Sequence, residues 1–469
     1  MGWWEKWPSS GRTERPPRGR YRYLIQRRIS AIDQLLPQRW NWSAIIKPLD
    51  QHGQDQSITT DRRLGLRYFW LDGLFSAISE NFFLSFIPLF ALAYGATNGQ
   101  IGLLTATANL LGTIALFPGA RLVERSGRRK AIVIWSGGGF GRLTLFGLAW
   151  LPFLLYQPRF AITGIIVLNG IRAFMANLGN PAWTALVADL VPASIRGRYF
   201  SSRNTAVALA ALVVAPLAGW LIRVGNCRLG LEFLGYQSAF LLAFAFGMVS
   251  TGYFSKIPEP ALTAQNIQKH SRGDLRRAIR RSPGFLGLVI SAFIWNLSLQ
   301  IAAPFFNVYL VSELHASVLL VGLLAGTTSL FMIPGQYLFG RLIDRKGGLW
   351  VYRLTGFLIP ILPLAWATIT APEQVFLINI AAGLLWAGYN LANFNLLLEL
   401  TPDEQRPRAV ALYQTAVFTS AVVGPLAGGY LADTISFKLI FSLSGLGRLI
   451  SSLIFVWFVA RAVTRHQQI

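Results

Sequence analysis

The sequence predicts an all-α membrane protein with twelve transmembrane helices in two pseudo-symmetric six-helix bundles and both termini cytoplasmic. Three observations carry this expectation. The 469-residue chain is 53% hydrophobic and only 13% charged, where a soluble globular chain has about 25% charged residues. Its mean hydropathy of +0.45 comes from apolar stretches long enough to cross a hydrocarbon core about 30 Å thick, which overrules the about three soluble domains that length alone suggests. Finally, lysine and arginine alternate by side, and a set of polar residues recurs at one constant offset.

The organisation follows in order along the chain. Residues 1–65 form a basic cytoplasmic region, residues 66–254 and 284–461 two bundles, residues 255–283 a cytoplasmic linker and residues 462–469 a tail. The expected spans are 68–94, 99–119, 131–156, 160–189, 199–222 and 236–254, then 284–311, 316–340, 349–370, 374–400, 409–432 and 437–460. Segments on the side of the N-terminus hold most of the 43 basic residues and the opposite loops only four, the positive-inside pattern. Within Tyr21–Leu36, Ile25, Ile29, Ile32 and Leu36 share a face away from Arg22, Arg27 and Arg28. That spacing reads as an amphipathic helix on anionic lipid head groups, or else as a basic tail. The Arg- and Trp-rich start lacks the continuous apolar core of a secretory signal.

Composition also excludes. A net charge of +23 would suggest a nucleic-acid partner in a soluble chain; here its placement in alternate loops serves topology, and no nucleic-acid partner is expected. One cysteine, Cys227, cannot form an internal disulfide, and His52, His270, His315 and His466 stand outside the spans or at their edges. No metal spacing, nucleophile–base pair or pair of catalytic acids is present in the spans, so neither an enzyme nor a bound cofactor is expected.

Adding one constant offset to Asn169, Asn180, Asp189, Pro192, Arg196 and Arg198 gives Asn379, Asn390, Glu399, Pro402, Arg406 and Arg408. The fourth and tenth spans are therefore copies, and internal symmetry marks transporter folds. The loop after span 2 reads A-R-L-V-E-R-S-G-R-R (Ala120–Arg129), and the loop after span 8 reads G-R-L-I-D-R-K-G (Gly340–Gly347). This pair resembles the loop G-x-x-x-D-R-x-G-R-R of the major facilitator superfamily, in the two places where that family carries it. The resemblance covers residues 66–461. Ala120 stands for the first glycine, Glu124 for the aspartate, and Gly348 for an arginine of the second copy.

A carboxylate in such a turn can face the positive N-terminus of another helix, and arginines beside it can pair with acids at neighbouring helix ends. Glu124 is expected to cap span 11 and Arg128 to pair with Asp189. Asp344 is expected to cap span 5 and Arg345 to pair with Glu399. With Arg125 these residues form a cytoplasmic gate, or they only enforce topology.

The resemblance implies that spans 1, 4, 7 and 10 line a central cavity. Span 7 carries Asn296, Gln300 and Asn307 on one face; span 10 carries Asn379, Trp386, Asn390 and Asn393; span 4 carries Asn169, Arg172 and Asn180. Amides in a bilayer must find partners, either with a solute or as glue between helices at ~0.6 kcal/mol each. Span 1 holds Asp72 and Glu80. A lone charge at such depth costs ~2.5–3.5 kcal/mol or more, so a Glu80–Arg172 pair is expected, serving as a static tie or as a proton-loading site with Glu80 first and Asp72 second. Arg142 and Arg448 each follow G-x-G and have no assigned partner. Antiporters of the superfamily often carry G-P-x-x-G-G in span 5; here span 11 reads G-P-L-A-G-G (Gly424–Gly429) and span 5 only A-P-L-A-G-W (Ala215–Trp220).

The expected function is a monomeric secondary transporter of the inner (plasma) membrane. It moves a small organic solute by alternating access with the proton gradient as driving force. A facilitator without ion coupling, and a non-transporting sensor or scaffold acting through the N-terminal region, are the alternatives.

Overall fold

A computed structural model describes residues 60–155, 157–192, 195–228, 233–259, 283–399 and 406–460. The expected helix at Tyr21–Leu36, most of the linker and the tail lie outside them. Among the described residues, twelve helices are long and apolar enough to cross a membrane: α1 (Arg62–Ala93), α2 (Asn98–Ser126), α3 (Arg129–Leu154), α4 (Pro158–Val187), α5 (Ser202–Gly225) and α6 (Leu234–Phe254), then α7 (Leu286–Ser312), α8 (Val318–Lys346), α9 (Gly348–Trp366), α10 (Pro372–Asn393), α11 (Leu412–Thr434) and α12 (Phe437–Phe458). Helical structure starts at Thr60, ahead of the expected boundary at residue 66.

Local chemistry sets the ends and breaks. Thr97 and Gln100 form a reciprocal capping box at the start of α2, and Gly127, with φ 63°, closes its C-terminus. Ser317 and Ser436 cap α8 and α12 by accepting from Leu320 N and Leu439 N. Pro88 and Pro304 cannot donate, and α1 and α7 break into two segments beside them. In α3 the run Ile134–Phe140, with three consecutive glycines, widens into a π-helix. Large apolar side chains such as Phe117, Trp150, Phe153 and Leu377 face outward, as a hydrocarbon solvent requires.

In the first six helices α1 packs on α5 and α6, α2 on α4, and α3 on α4 and α6; in the last six α7 packs on α11 and α12, α8 on α10, and α9 on α10 and α12. Two seams join the groups, α2 with α11 and α5 with α8. Both are built on the P-L-A-G segments. A Cβ on Gly102 would run into the Pro425 carbonyl, and one on Gly322 into the Ala215 carbonyl. Cβ atoms at Gly219 and Gly429 would come within 2.6 Å of Val318 O and 2.7 Å of Asn98 O. Proline adds a partner: Pro425 leaves the carbonyl four residues earlier, Ala421 O, without its helical donor. Asn109 Nδ2 of α2 donates to that carbonyl at 2.7 Å.

One end of the seam is clasped. Asp433, at the end of α11, accepts from Asn98 N at 3.0 Å and from Gly99 N at 2.7 Å, two donors that the first turn of α2 leaves free. Asp433→Ala is expected to weaken this clasp by about 1 kcal/mol, and Gly102→Val to force α2 from α11. Spin labels at Thr97 and Thr434 in a Cys227→Ser background should report a longer distance in each variant. They should report no change in Gly252→Ala, where a Cβ meets nothing within 4 Å.

Candidate functional site

Helices α1, α3, α4, α5 and α6 line a half-open cavity of about 400 Å³. Along α1, Asp72, Ser76 and Glu80 stand four residues apart on one face of a helix, and all three line it. Arg142 enters from α3, Arg172 from α4 and Arg203 from α5. Five ionisable side chains thus line one cavity within the spans, Asp72 buried and Glu80 exposed in it.

Glycine seats two of the arginines. A Cβ on Gly247 of α6 would lie 2.6 Å from Arg142 Cδ, and one on Gly73 of α1 would lie 2.6 Å from Arg203 Cζ. Each guanidinium crosses a stretch of bare backbone to reach the cavity. Arg142 then donates from Nη1 to Ser79 Oγ at 2.6 Å and from Nη2 to Ser76 Oγ at 2.9 Å. The hydroxyls pass the bonds on, Ser79 to Ala243 O of α6 at 2.6 Å and Ser76 to Glu80 Oε1 at 3.2 Å. Arg203 stacks over Phe69, with Cζ 4.7 Å from the ring centroid, and its buried Nε has no hydrogen-bond partner. Asp72 is buried and accepts from Ser250 Oγ of α6 at 2.7 Å. Thr251, beside it, donates to Gly138 O in the π segment at 2.9 Å. The glycines of that segment form part of the wall, and π-bulges are frequent at functional sites.

The expected Glu80–Arg172 pair does not form. Arg172 directs Nε and Nη2 to Asn169 Oδ1 at 3.1 and 3.0 Å and lies over Phe83. Asn169 is three residues away on the same helix and needs no reach across the cavity. Among the described residues the only ion pair within 4 Å joins Arg129 to Asp189, so the cavity charges face one another unpaired.

The amides of the expected central lining are spread over several surroundings. A second cavity of about 260 Å³, among the last six helices, is lined by Asn307, Asn379, Trp386 and Arg448. Asn379 also donates to Leu324 O, Asn296 to Ala292 O of its own helix and Asn393 to Tyr413. Asn180 lines the first cavity and accepts from Thr184. Asn296, Gln300, Asn390 and Asn393 line neither cavity. Arg448 is buried and donates to Ser444 Oγ at 2.9 Å.

At the gate the arginine is one residue along: Arg129, not Arg128, meets Asp189. Arg129 opens α3 and is 2% exposed, whereas the Arg128 side chain is exposed. Arg62 of α1 adds bonds to the carbonyls of Asp189 and Leu190. Glu124, Arg125, Asp344 and Arg345 are exposed, and the expected caps of spans 11 and 5 fall on helix starts whose side chains lie outside the described residues. The side chain of Glu399 lies outside the described residues. Sequence reasoning missed Arg203, Ser250 and the glycine seats; a basic residue inside the expected fifth span was the available signal for Arg203.

The description "Major Facilitator Superfamily" belongs to a family model that matches residues 69–391 and 285–469. The chain belongs to the major facilitator superfamily. It is a transporter and a multi-pass integral protein of the plasma membrane. It is 23% identical over 390 residues to the multi-drug resistance efflux pump PmrA of Streptococcus pneumoniae, covering 80% of this chain and 91% of that one. It is 24% identical over 417 residues to the multidrug resistance protein MdtG of Serratia proteamaculans, covering 85% and 94%. Among solved structures, a D-xylose–proton symporter matches with TM-score 0.65 at 17% identity over 86% of this chain and 98% of that one. The inward open xylose transporter XylE from E. coli matches with TM-score 0.63 at 18% identity over 85% and 95%.

Arg129→Gln is expected to lower stability by about 2–3 kcal/mol, since it leaves a partly buried acid without its charged donor. Arg128→Gln is expected to change it by less than about 0.5 kcal/mol, as an exposed substitution does. Thermal denaturation of the two purified variants checks the register.

Proposed function

We propose that this superfamily member is a proton-coupled secondary transporter of a small organic solute. The observation that carries the reading is the first cavity, where Asp72 and Glu80 lie among three arginines with no ion pair within 4 Å. A carboxylate locked in a salt bridge keeps its charge through the cycle. One held by serine hydroxyls, as both are here, can gain or lose a proton when access changes. Intramembrane acids of this kind mark proton relays.

The same reading places both termini and the basic loops on the cytoplasmic face of the inner membrane, on the distribution of lysine and arginine. Residues 66–254 and 284–461 then act as two pseudo-symmetric bundles, which the matched residues of α4 and α10 support, and alternating access is their rocking about the α2–α11 and α5–α8 seams. The Asp433 clasp lies on the outer face in this topology, so the state described is closed outward. The exposed gate residues Glu124, Asp344 and Arg345 are then the contacts that close the inner face in the alternate state.

A panel of metabolites and drugs, screened by thermal stabilisation at pH 6 and pH 8, identifies the solute. A ligand at 100 times its Kd adds about 2.7 kcal/mol. In proteoliposomes Glu80→Gln is expected to abolish proton-driven accumulation and to retain exchange of solute. Unchanged proton flux in that variant would show that Glu80 is structural and that coupling lies elsewhere or is absent.

A further inference from the structure

We infer that the first cavity takes the negative group of an organic anion with an apolar body, and that this anion travels in the same direction as the proton. The inference rests on the transporter reading above and adds the charge class of the solute and the sign of the coupling.

Every charged group that lines the cavity enters the argument: Asp72 and Glu80 from α1, Arg142 from α3, Arg172 from α4 and Arg203 from α5, while α6 contributes only Ser250, Thr251 and Phe254. With all five ionised, the cavity holds one positive charge in excess. An uncompensated charge is expensive where water is withdrawn, most so beside buried Asp72 and least so beside exposed Glu80, and a single negative group from outside removes the excess. The donors for it are at hand. Arg172 spends Nε and Nη2 on Asn169, and a guanidinium has five N–H donors in a fixed fork, so its third nitrogen stays available. Arg203 is held by ring stacking on Phe69 and Trp183 and has a buried Nε without an acceptor. Guanidinium forks match carboxylates and similar planar anions. The rest of the wall, with Phe83, Leu145, Trp183 and Phe254, suits an apolar body.

The coupling sign follows from the same count. Arg142 and Arg203 are near enough to Asp72 for their charges to act on it, as Glu80 is to Arg142 and Arg172. Protonation of either acid removes a competitor for the arginines and raises the positive excess. An anion therefore binds more tightly to the protonated site, and the two move together. A cationic solute would instead compete with the proton and exchange against it.

The test uses the full chain in detergent and calorimetric titration with three probes of one shape: benzoate, benzamide and benzylamine. Benzoate is expected to bind more tightly at pH 6 than at pH 8 and about tenfold or more tighter than benzamide, with benzylamine weakest. Arg203→Gln and Gly73→Ala are each expected to weaken benzoate about tenfold, the second by displacing Arg203 while its charge remains. Arg203→Lys should recover part of the loss, and Gly252→Ala should bind as the unaltered chain does. Equal or tighter binding of benzylamine overturns the inference, and so does benzoate binding indifferent to Arg203→Gln. Loss of benzoate binding when phosphatidylglycerol is added to the micelles would show that a lipid head group owns the site, which also overturns it. Proton flux in proteoliposomes separates this inference from the reading beneath it. Benzoate binding without proton movement removes the coupling and leaves the anion, whereas proton exchange against benzylamine removes the anion and leaves the coupling.

Discussion

Arg142 holds three helices to one another inside the hydrocarbon, and most of the ionic cavity is arranged around that fact. Its stem lies across Gly247 of α6, and its terminal nitrogens reach Ser76 and Ser79 of α1. Through those hydroxyls the charge is linked to Ala243 O on α6 and to Glu80. A guanidinium at this depth must have its donors met, since the surroundings supply no acceptors. Bonds in series also polarise one another. The arrangement keeps Glu80 near a positive charge with no ion pair within 4 Å.

Close approach of backbones is the second recurring device. The seams between the helix groups rest on Gly102 and Gly322 against the carbonyls of Pro425 and Ala215. Hydrocarbon gives helices no solvophobic reason to associate, so small residues and freed carbonyls take over. Asn109 on Ala421 O is one such bond, made available by the proline four residues on. At its end the α2–α11 seam adds the Asp433 clasp on Asn98 and Gly99.

The two cavities differ in kind. Among the last six helices Arg448 occupies a place like that of Arg142 in its sequence, after G-x-G, and it too bonds a serine, Ser444. No acid faces it. Its surroundings are aromatic, with Trp386 and Trp366 in the lining and Trp295 stacked on Tyr389 nearby. Charge chemistry is therefore concentrated in the first group of helices, while the second offers an apolar, amide-bearing wall.

Twelve spans and their order were legible in the chain, because apolar length acts locally; the breaks beside Pro88 and Pro304 and the caps at Thr97, Ser317 and Ser436 came from the structure. The paired loop motif and the recurrence of Asn169 and Asn180 at Asn379 and Asn390 were legible for the same reason: they are statements about sequence position. Asp72, Glu80 and Arg172 could be named as site residues from their depth alone. What they touch could not. Arg172 turned to Asn169 on its own helix instead of Glu80, and Arg129 took the acid expected for Arg128, because a pairing depends on which side of each helix faces its neighbour. Helix rotation is set by packing, which residue spacing does not carry. Periodicity says which residues share a face, but only the tertiary structure decides what that face meets.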